Sequence, residues 1–260
     1  MDPQIIATLT LPFLGTVLGS GFVFLMKGDI NRTVQRCLTG FAAGVMVAAS
    51  VWSLIIPAID LSADLGKLSW APAAIGFILG MLFLLMLDSV VPHQHISSDT
   101  AEGPESKLGR RQKLMLAVTL HNIPEGMAVG AVVAGALAGD AGITIASATA
   151  LALGMAIQNI PEGAIVALPM RSDGMSRGRA FGNGVISGMV EPVAALLMVL
   201  LYEHISPTLP YLLAFSAGAM LYVVVEELIP ETQQGKHSNM GTIAFAFGFV
   251  IMMILDVALG

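Results

Sequence analysis

The chain has 260 residues, of which 55% are hydrophobic and only 12% charged, against roughly 25% charged in typical soluble proteins; its mean hydropathy is +0.81. Such a chain cannot cover a water-facing surface with polar groups, so the lipid bilayer is its solvent. A net charge of -6 with 12 Lys and Arg leaves no basic field for nucleic acid. The single cysteine, Cys37, excludes an intrachain disulfide framework and any Cys-based zinc finger or iron–sulfur cluster.

A helix crossing a hydrocarbon core of about 30 Å needs roughly 20 apolar residues. Read in chain order, runs of that kind lie near 5–26, 37–59, 71–91, 113–138, 142–169, 180–202, 208–230 and 241–259. The first follows Met1-Asp2-Pro3-Gln4, which lacks a basic region, and is expected to be a retained span, not a cleaved signal. Short turns such as Lys27-Gly28-Asp29 and Gly139-Asp140-Ala141-Gly142 separate most runs. One loop is long, 92–112, polar and rich in turn-forming residues. The expectation is one all-α transmembrane domain over 1–260, with eight spans in a 3+2+3 arrangement.

Loop charges give the direction. Lys27, Arg32, Arg36, Lys107, Arg110, Arg111, Lys113, Arg171, Arg177, Arg179 and Lys236 fall in or beside the odd-numbered loops, leaving only Lys67 for the even ones. By the positive-inside rule the odd loops are cytoplasmic and both termini extracytoplasmic. Small-residue spacings recur at Gly15/Gly19, Gly40/Gly44, Gly76/Gly80, Gly126/Gly130 and Gly184/Gly188. They let helix backbones approach closely, which suits a compact bundle and can also serve a homodimer.

Acids inside the apolar runs are the anomaly. Glu125, Glu162 and Glu191 lie deepest, with Asp88, Glu226, Glu227 and Asp256 nearer the ends. An acid at the bilayer centre costs about 3 kcal/mol on insertion scales, and such residues mark a pathway or a pair. No Lys or Arg lies at that depth, which makes a bound cation a suitable counter-charge. Two of the three belong to a repeated motif. Span four carries His121-Asn122-Ile123-Pro124-Glu125-Gly126 and span five Gln158-Asn159-Ile160-Pro161-Glu162-Gly163. The first residue and the Glu stand at i and i+4, on one helical face. Each proline withholds a donor from the carbonyl four residues back, so broken helices with exposed backbone oxygen are expected there. The midpoint between the two Glu falls at the turn, about 18 residues from each; allowing for the turn itself, both motifs are expected roughly half-way through the bilayer. Two inverted motifs at the midplane are a recurring design of secondary transporters.

One imidazole, two or three carboxylates and three amides suit a borderline divalent ion, Zn²⁺ first, with Fe²⁺, Mn²⁺, Co²⁺ or Cd²⁺ also compatible. Weak amide ligands fit an ion that must also leave. No nucleotide-binding signature is present, so ATP coupling within the chain is not expected. Two other classes compete. A proton-linked carrier of another small substrate would use the same glutamates but leaves the His/Asn/Gln/Glu clustering unexplained. An intramembrane metallohydrolase would want a ligand pair such as H-E-x-x-H, which the chain lacks.

The paired motifs closely resemble those of the ZIP (Zrt/Irt-like) metal transporters, particularly the bacterial GufA-like branch. The resemblance also covers Gly44-Val45-Met46, Ser187-Gly188-Met189-Val190-Glu191-Pro192 and Glu226-Glu227-Leu228-Ile229-Pro230-Glu231. It implies an inner (cell) membrane transporter with no cofactor, taking divalent metal toward the cytoplasm, and not an enzyme. It further implies a binuclear centre. Met46, His121, Glu125, Gln158 and Glu162 would surround one ion. Asn122, Asn159 and Glu191 would surround a second, with Glu125 and Glu162 bridging. Glu226, Glu227 and Glu231 would be steps of the pathway toward the cytoplasm. Read from position alone, Asp60 and Asp88 are either entrance or exit steps or helix caps, and His93 and His95 either a weak cytosolic metal contact or part of a solvated polar loop. Gln158 stands where many members have His, Asn159 where some have an acid, and Glu226 where members often have His. The first two departures remove basicity or charge.

Overall fold

The computed structural model describes residues 2–25, 31–92, 103–104, 106, 109–140, 142–172, 174–235 and 238–259. His93 and His95 lie outside them. Among the described residues there are helices and no strands. Eight helices of the described residues are long and apolar enough to cross a membrane: Pro3–Leu25, Arg32–Asp60, Trp70–Val90, Met115–Ala138, Ile145–Ser172, Arg177–His204, Ser206–Gln233 and Met240–Leu259, called spans one to eight. The chain is an all-α, multi-pass integral membrane protein. Local chemistry sets several ends. Asp2 accepts from the Gln4 N–H and Asn31 from the Thr33 N–H, each at 2.8 Å, filling donors that a helix start leaves open. Gly139, at φ 77°, closes span four in the left-handed conformation.

The spans pack mainly in pairs: one with five, four with six, two with eight, three with seven. Exchanging one for six, two for seven, three for eight and four for five maps this pairing onto itself. Glycines make the contacts close. A Cβ on Gly15 would fall 2.0 Å from the Ala156 carbonyl oxygen, one on Gly44 2.0 Å from that of Phe245, and one on Gly80 2.0 Å from that of Phe215. These pairs therefore approach backbone to backbone, without side chains between them.

Burial separates inner from outer spans. In their most apolar windows, 72% of span four and 78% of span five is buried, against 11% of span eight. Leu79, Leu82, Leu85, Phe247, Ile251 and Ile254 are exposed, an apolar rim suited to lipid. Spans four and five thus hold the motifs at the centre of the bundle.

The breaks are not where the motifs predicted them. The helices run through Pro124 and Pro161 without interruption. Span two instead widens to a π turn at Ser50–Ile55 and span seven at Val224–Leu228. There the N–H of Ile56 reaches back five residues to Val51, and that of Ile229 to Val224. Pro57 and Pro230 follow directly and can offer no donor of their own. The two irregular turns occupy equivalent spans of the exchange described above.

Candidate metal centre

His121 and Glu125, one turn apart on span four, are 3% and 2% exposed, and Gln158 on span five is buried. Together with Met46 of span two, Glu162 of span five, and Glu227 and Glu231 of span seven, they line a cavity of about 40 Å³, room for a few water-sized spheres. The i and i+4 residues of both motifs therefore face one space, as their spacing predicted. Gln158 Nε2 donates to Glu125 Oε2 at 2.7 Å and also to Asn159 Oδ1. His121 Nδ1 lies 3.5 Å from Glu227 Oε1, joining span four to span seven.

Asn122, Asn159 and Glu191 form a second layer that does not line this cavity. Glu191 Oε1 accepts from Asn122 Nδ2 at 3.1 Å and from Thr16 Oγ1 at 3.1 Å; Oε2 accepts from Asn159 Nδ2 at 2.7 Å. The first layer is set in the cavity, the second in a polar knot joining spans one, four, five and six.

The pathway residues are placed unequally. Glu231 is buried; its Oε1 accepts from Gln35 Nε2 at 2.7 Å, while Oε2 has no hydrogen-bond partner. Arg36 donates to the Gln234 carbonyl, so the start of span two holds the end of span seven beside the cavity. Glu226 is exposed and does not line it. Asp88 is buried and its Oδ2 accepts from the Tyr222 hydroxyl at 2.6 Å, outside the cavity. Asp60 lines a different cavity, about 190 Å³, at the opposite end of span two with Ser53, Ser147 and Asp256; Ser53 Oγ donates to Asp256 Oδ1 at 2.5 Å.

Thr16 and Gln35 escaped the sequence reading. Neither is charged, and nothing in the local pattern separates them from other small or polar residues near helix contacts.

Among the described residues, no three His, Cys, Asp or Glu converge closely enough to hold a metal by themselves. The donor set is mixed: imidazole, thioether, carboxylate and amide. Such a set gives a borderline cation moderate binding in place of the closed Cys/His tetrahedron of a structural zinc site.

The comparisons agree with this chemistry. The family model described as ZIP Zinc transporter matches residues 109–256, which include both motifs and Glu191. The chain is 38% identical to the zinc transporter GufA of Myxococcus xanthus, over 95% of this chain and 96% of that one. It is 39% identical to the zinc transporter ZIPB of Bordetella bronchiseptica, over 95% and 79%. With the human zinc transporter ZIP11 the identity is 36%, over 94% of each chain. A membrane-embedded cluster of this composition, carried by a sequence matched to these relatives nearly end to end, places the chain in the ZIP zinc transporter family, whose members are transporters of divalent metal and not enzymes.

Proposed function

We propose that the protein moves Zn²⁺, or a related ion among Cd²⁺, Fe²⁺, Mn²⁺ and Co²⁺, into the cytoplasm across the inner (cell) membrane as a secondary transporter. The observation that carries this reading is the single cavity lined by His121, Glu125, Gln158 and Glu162 together with Met46. In this reading these five residues surround the first ion. A second position adjoins it at Asn122, Asn159 and Glu191, with Glu125 and Glu162 shared.

The route follows the two ends of the bundle. Asp60 and Asp256 stand at the end with few basic residues and receive the ion. Glu227 and Glu231 stand at the end with Arg32, Arg36 and Arg171 and pass it to the cytoplasm. An inside-negative potential of 100 mV favours entry of a dication by about 4.6 kcal/mol. The ligands also divide between packing groups: His121, Glu125, Gln158 and Glu162 belong to spans that pack with one and six, Met46 and Glu227 to spans that pack with eight and three. Relative sliding of the groups would therefore pull the ion's shell apart and release it.

Cavity size weighs against an organic substrate. Pockets for such molecules hold roughly 300 Å³ or more, whereas this cavity is about 40 Å³. The test is uptake into proteoliposomes under an inside-negative potential, with Zn²⁺, Cd²⁺, Fe²⁺ and Mn²⁺ in competition. Saturable Zn²⁺ uptake that collapses when the potential is abolished is expected. Absence of cation uptake by correctly folded protein would overturn the reading.

A further inference from the structure

Span two carries Gln35, Thr39, Ala42 and Met46 at intervals of four, three and four residues, one face of a helix. Thr39, Ala42 and Met46 line the cavity with His121 and Glu125; Gln35, one turn further, does not. Its Nε2 donates to Glu231 Oε1 at 2.7 Å, which holds that oxygen against span two. Glu231 itself lines the cavity and is 8% exposed, and its other oxygen, Oε2, is buried with no hydrogen-bond partner. A carboxylate offers only acceptors, and an unsatisfied buried acceptor is costly. Arg36, buried and next in sequence to Gln35, is the obvious group to fill it, yet it donates to the Gln234 carbonyl. A guanidinium frequently takes both oxygens of a carboxylate at once, which would leave none for an ion.

We infer that Gln35 is a positioning residue for ion release: by holding one oxygen of Glu231 with a neutral donor, it keeps that carboxylate off Arg36 and leaves the other oxygen to the cavity. This rests on the reading of the cavity as part of a cation route. A neutral amide fixes a carboxylate without cancelling its charge, whereas a guanidinium does both. The order along span seven fits. Glu227 stands 3.5 Å from His121, and Glu231 follows four residues later on the same face. The oxygen that Gln35 leaves open is thus the next acceptor beyond Glu227. An ion leaving the centre would supply the partner that Oε2 lacks.

The test joins initial Zn²⁺ uptake rates in proteoliposomes to Zn²⁺ calorimetry on the same purified full-length protein. Gln35→Met keeps the length of the side chain and removes its donor. It should lower the maximal uptake rate about tenfold, as loss of an outer-shell partner typically does. Calorimetric affinity and stoichiometry at the centre should change less than twofold, whereas misfolding would lower the stoichiometry together with the rate. Arg36→Gln retains a donor for the Gln234 carbonyl but carries no charge. Added to Gln35→Met, it should restore the rate at least threefold, because no guanidinium is left to capture Glu231. A residue acting through another loses its effect when that other is removed, so in a Glu231→Gln background Gln35→Met should alter the rate less than twofold. A full rate in Gln35→Met, or an undiminished effect beside Glu231→Gln, overturns the inference. If Glu231→Gln leaves no measurable rate, the Arg36→Gln rescue decides, and absence of recovery is the adverse result. Lack of uptake by the unmutated protein would remove the transport reading itself, and this inference with it.

Discussion

Gln158 on span five gives its Nε2 to Glu125 Oε2 on span four at 2.7 Å, so an amide nitrogen lies against the carboxylate that a cation would use. An incoming cation must displace that nitrogen, and the amide must turn over to present its weakly basic oxygen. In the proposed site Gln158 would therefore be both a ligand and an obstacle.

Replacing Gln158 by His removes that step and supplies imidazole, which suits Zn²⁺ better than an amide oxygen does. Gln158→His should lower the apparent KM for Zn²⁺ and lower or leave unchanged the maximal rate, because an ion held more tightly leaves more slowly. It should also favour Zn²⁺ over Mn²⁺. Initial uptake rates against free metal, for both ions, give the comparison. Weaker zinc affinity in a folded variant would mean that residue 158 does not face the ion.

Glu125→Ala and Glu162→Ala should each abolish or sharply reduce uptake. Because an acid at this depth costs about 3 kcal/mol, either variant should be at least as stable as the parent without metal and lose the stabilisation that added Zn²⁺ gives. Thermal unfolding with and without Zn²⁺ reads this directly. Normal uptake by both variants contradicts the site.

Eight spans and the facing of His121, Glu125, Gln158 and Glu162 were legible in the sequence. Hydrophobic run length and i, i+4 spacing are local properties that survive packing. The helix breaks were not legible. Proline at 124 and 161 signals a lost donor but does not say whether the helix absorbs it. Here the helices continue through both sites, while the π turns precede Pro57 and Pro230. Partners from distant spans were also hidden. Thr16 reaches Glu191 across 175 residues and Gln35 reaches Glu231 across 196, and no periodicity encodes either contact.

Acidity should oppose metal. Ordinary His and Glu side chains have pKa values of about 6.5 and 4.3, and both must be deprotonated to ligate. In the proposed site protons and cations would therefore compete for His121, Glu125 and Glu162. Apparent affinity should fall as pH drops from about 7.5 to 5.5, and binding should release protons. Calorimetry in two buffers of different ionisation enthalpy measures that release. Affinity that stays flat across the interval, with no proton release, is incompatible with this ligand set.

The glycine contacts give a prediction that does not pass through the metal. Gly44 of span two and Gly80 of span three lie in two different pairings, two with eight and three with seven. An added methyl would stand 2.0 Å from the Phe245 oxygen in one case and 2.0 Å from the Phe215 oxygen in the other. Both obstacles are helix backbone, which cannot rotate aside as a flexible side chain would. Gly44→Ala and Gly80→Ala must therefore separate the helices, at a cost of roughly 1–3 kcal/mol or more. Gly182 is the control, since nothing lies within 4 Å of the position its Cβ would take. Gly182→Ala should leave stability unchanged or raise it by up to about 1 kcal/mol, because alanine loses less backbone entropy in a helix. Unfolding midpoints in detergent should fall for the first two variants and not for the third. If Gly44→Ala and Gly80→Ala melt with the parent, spans two and eight and spans three and seven do not meet at these glycines.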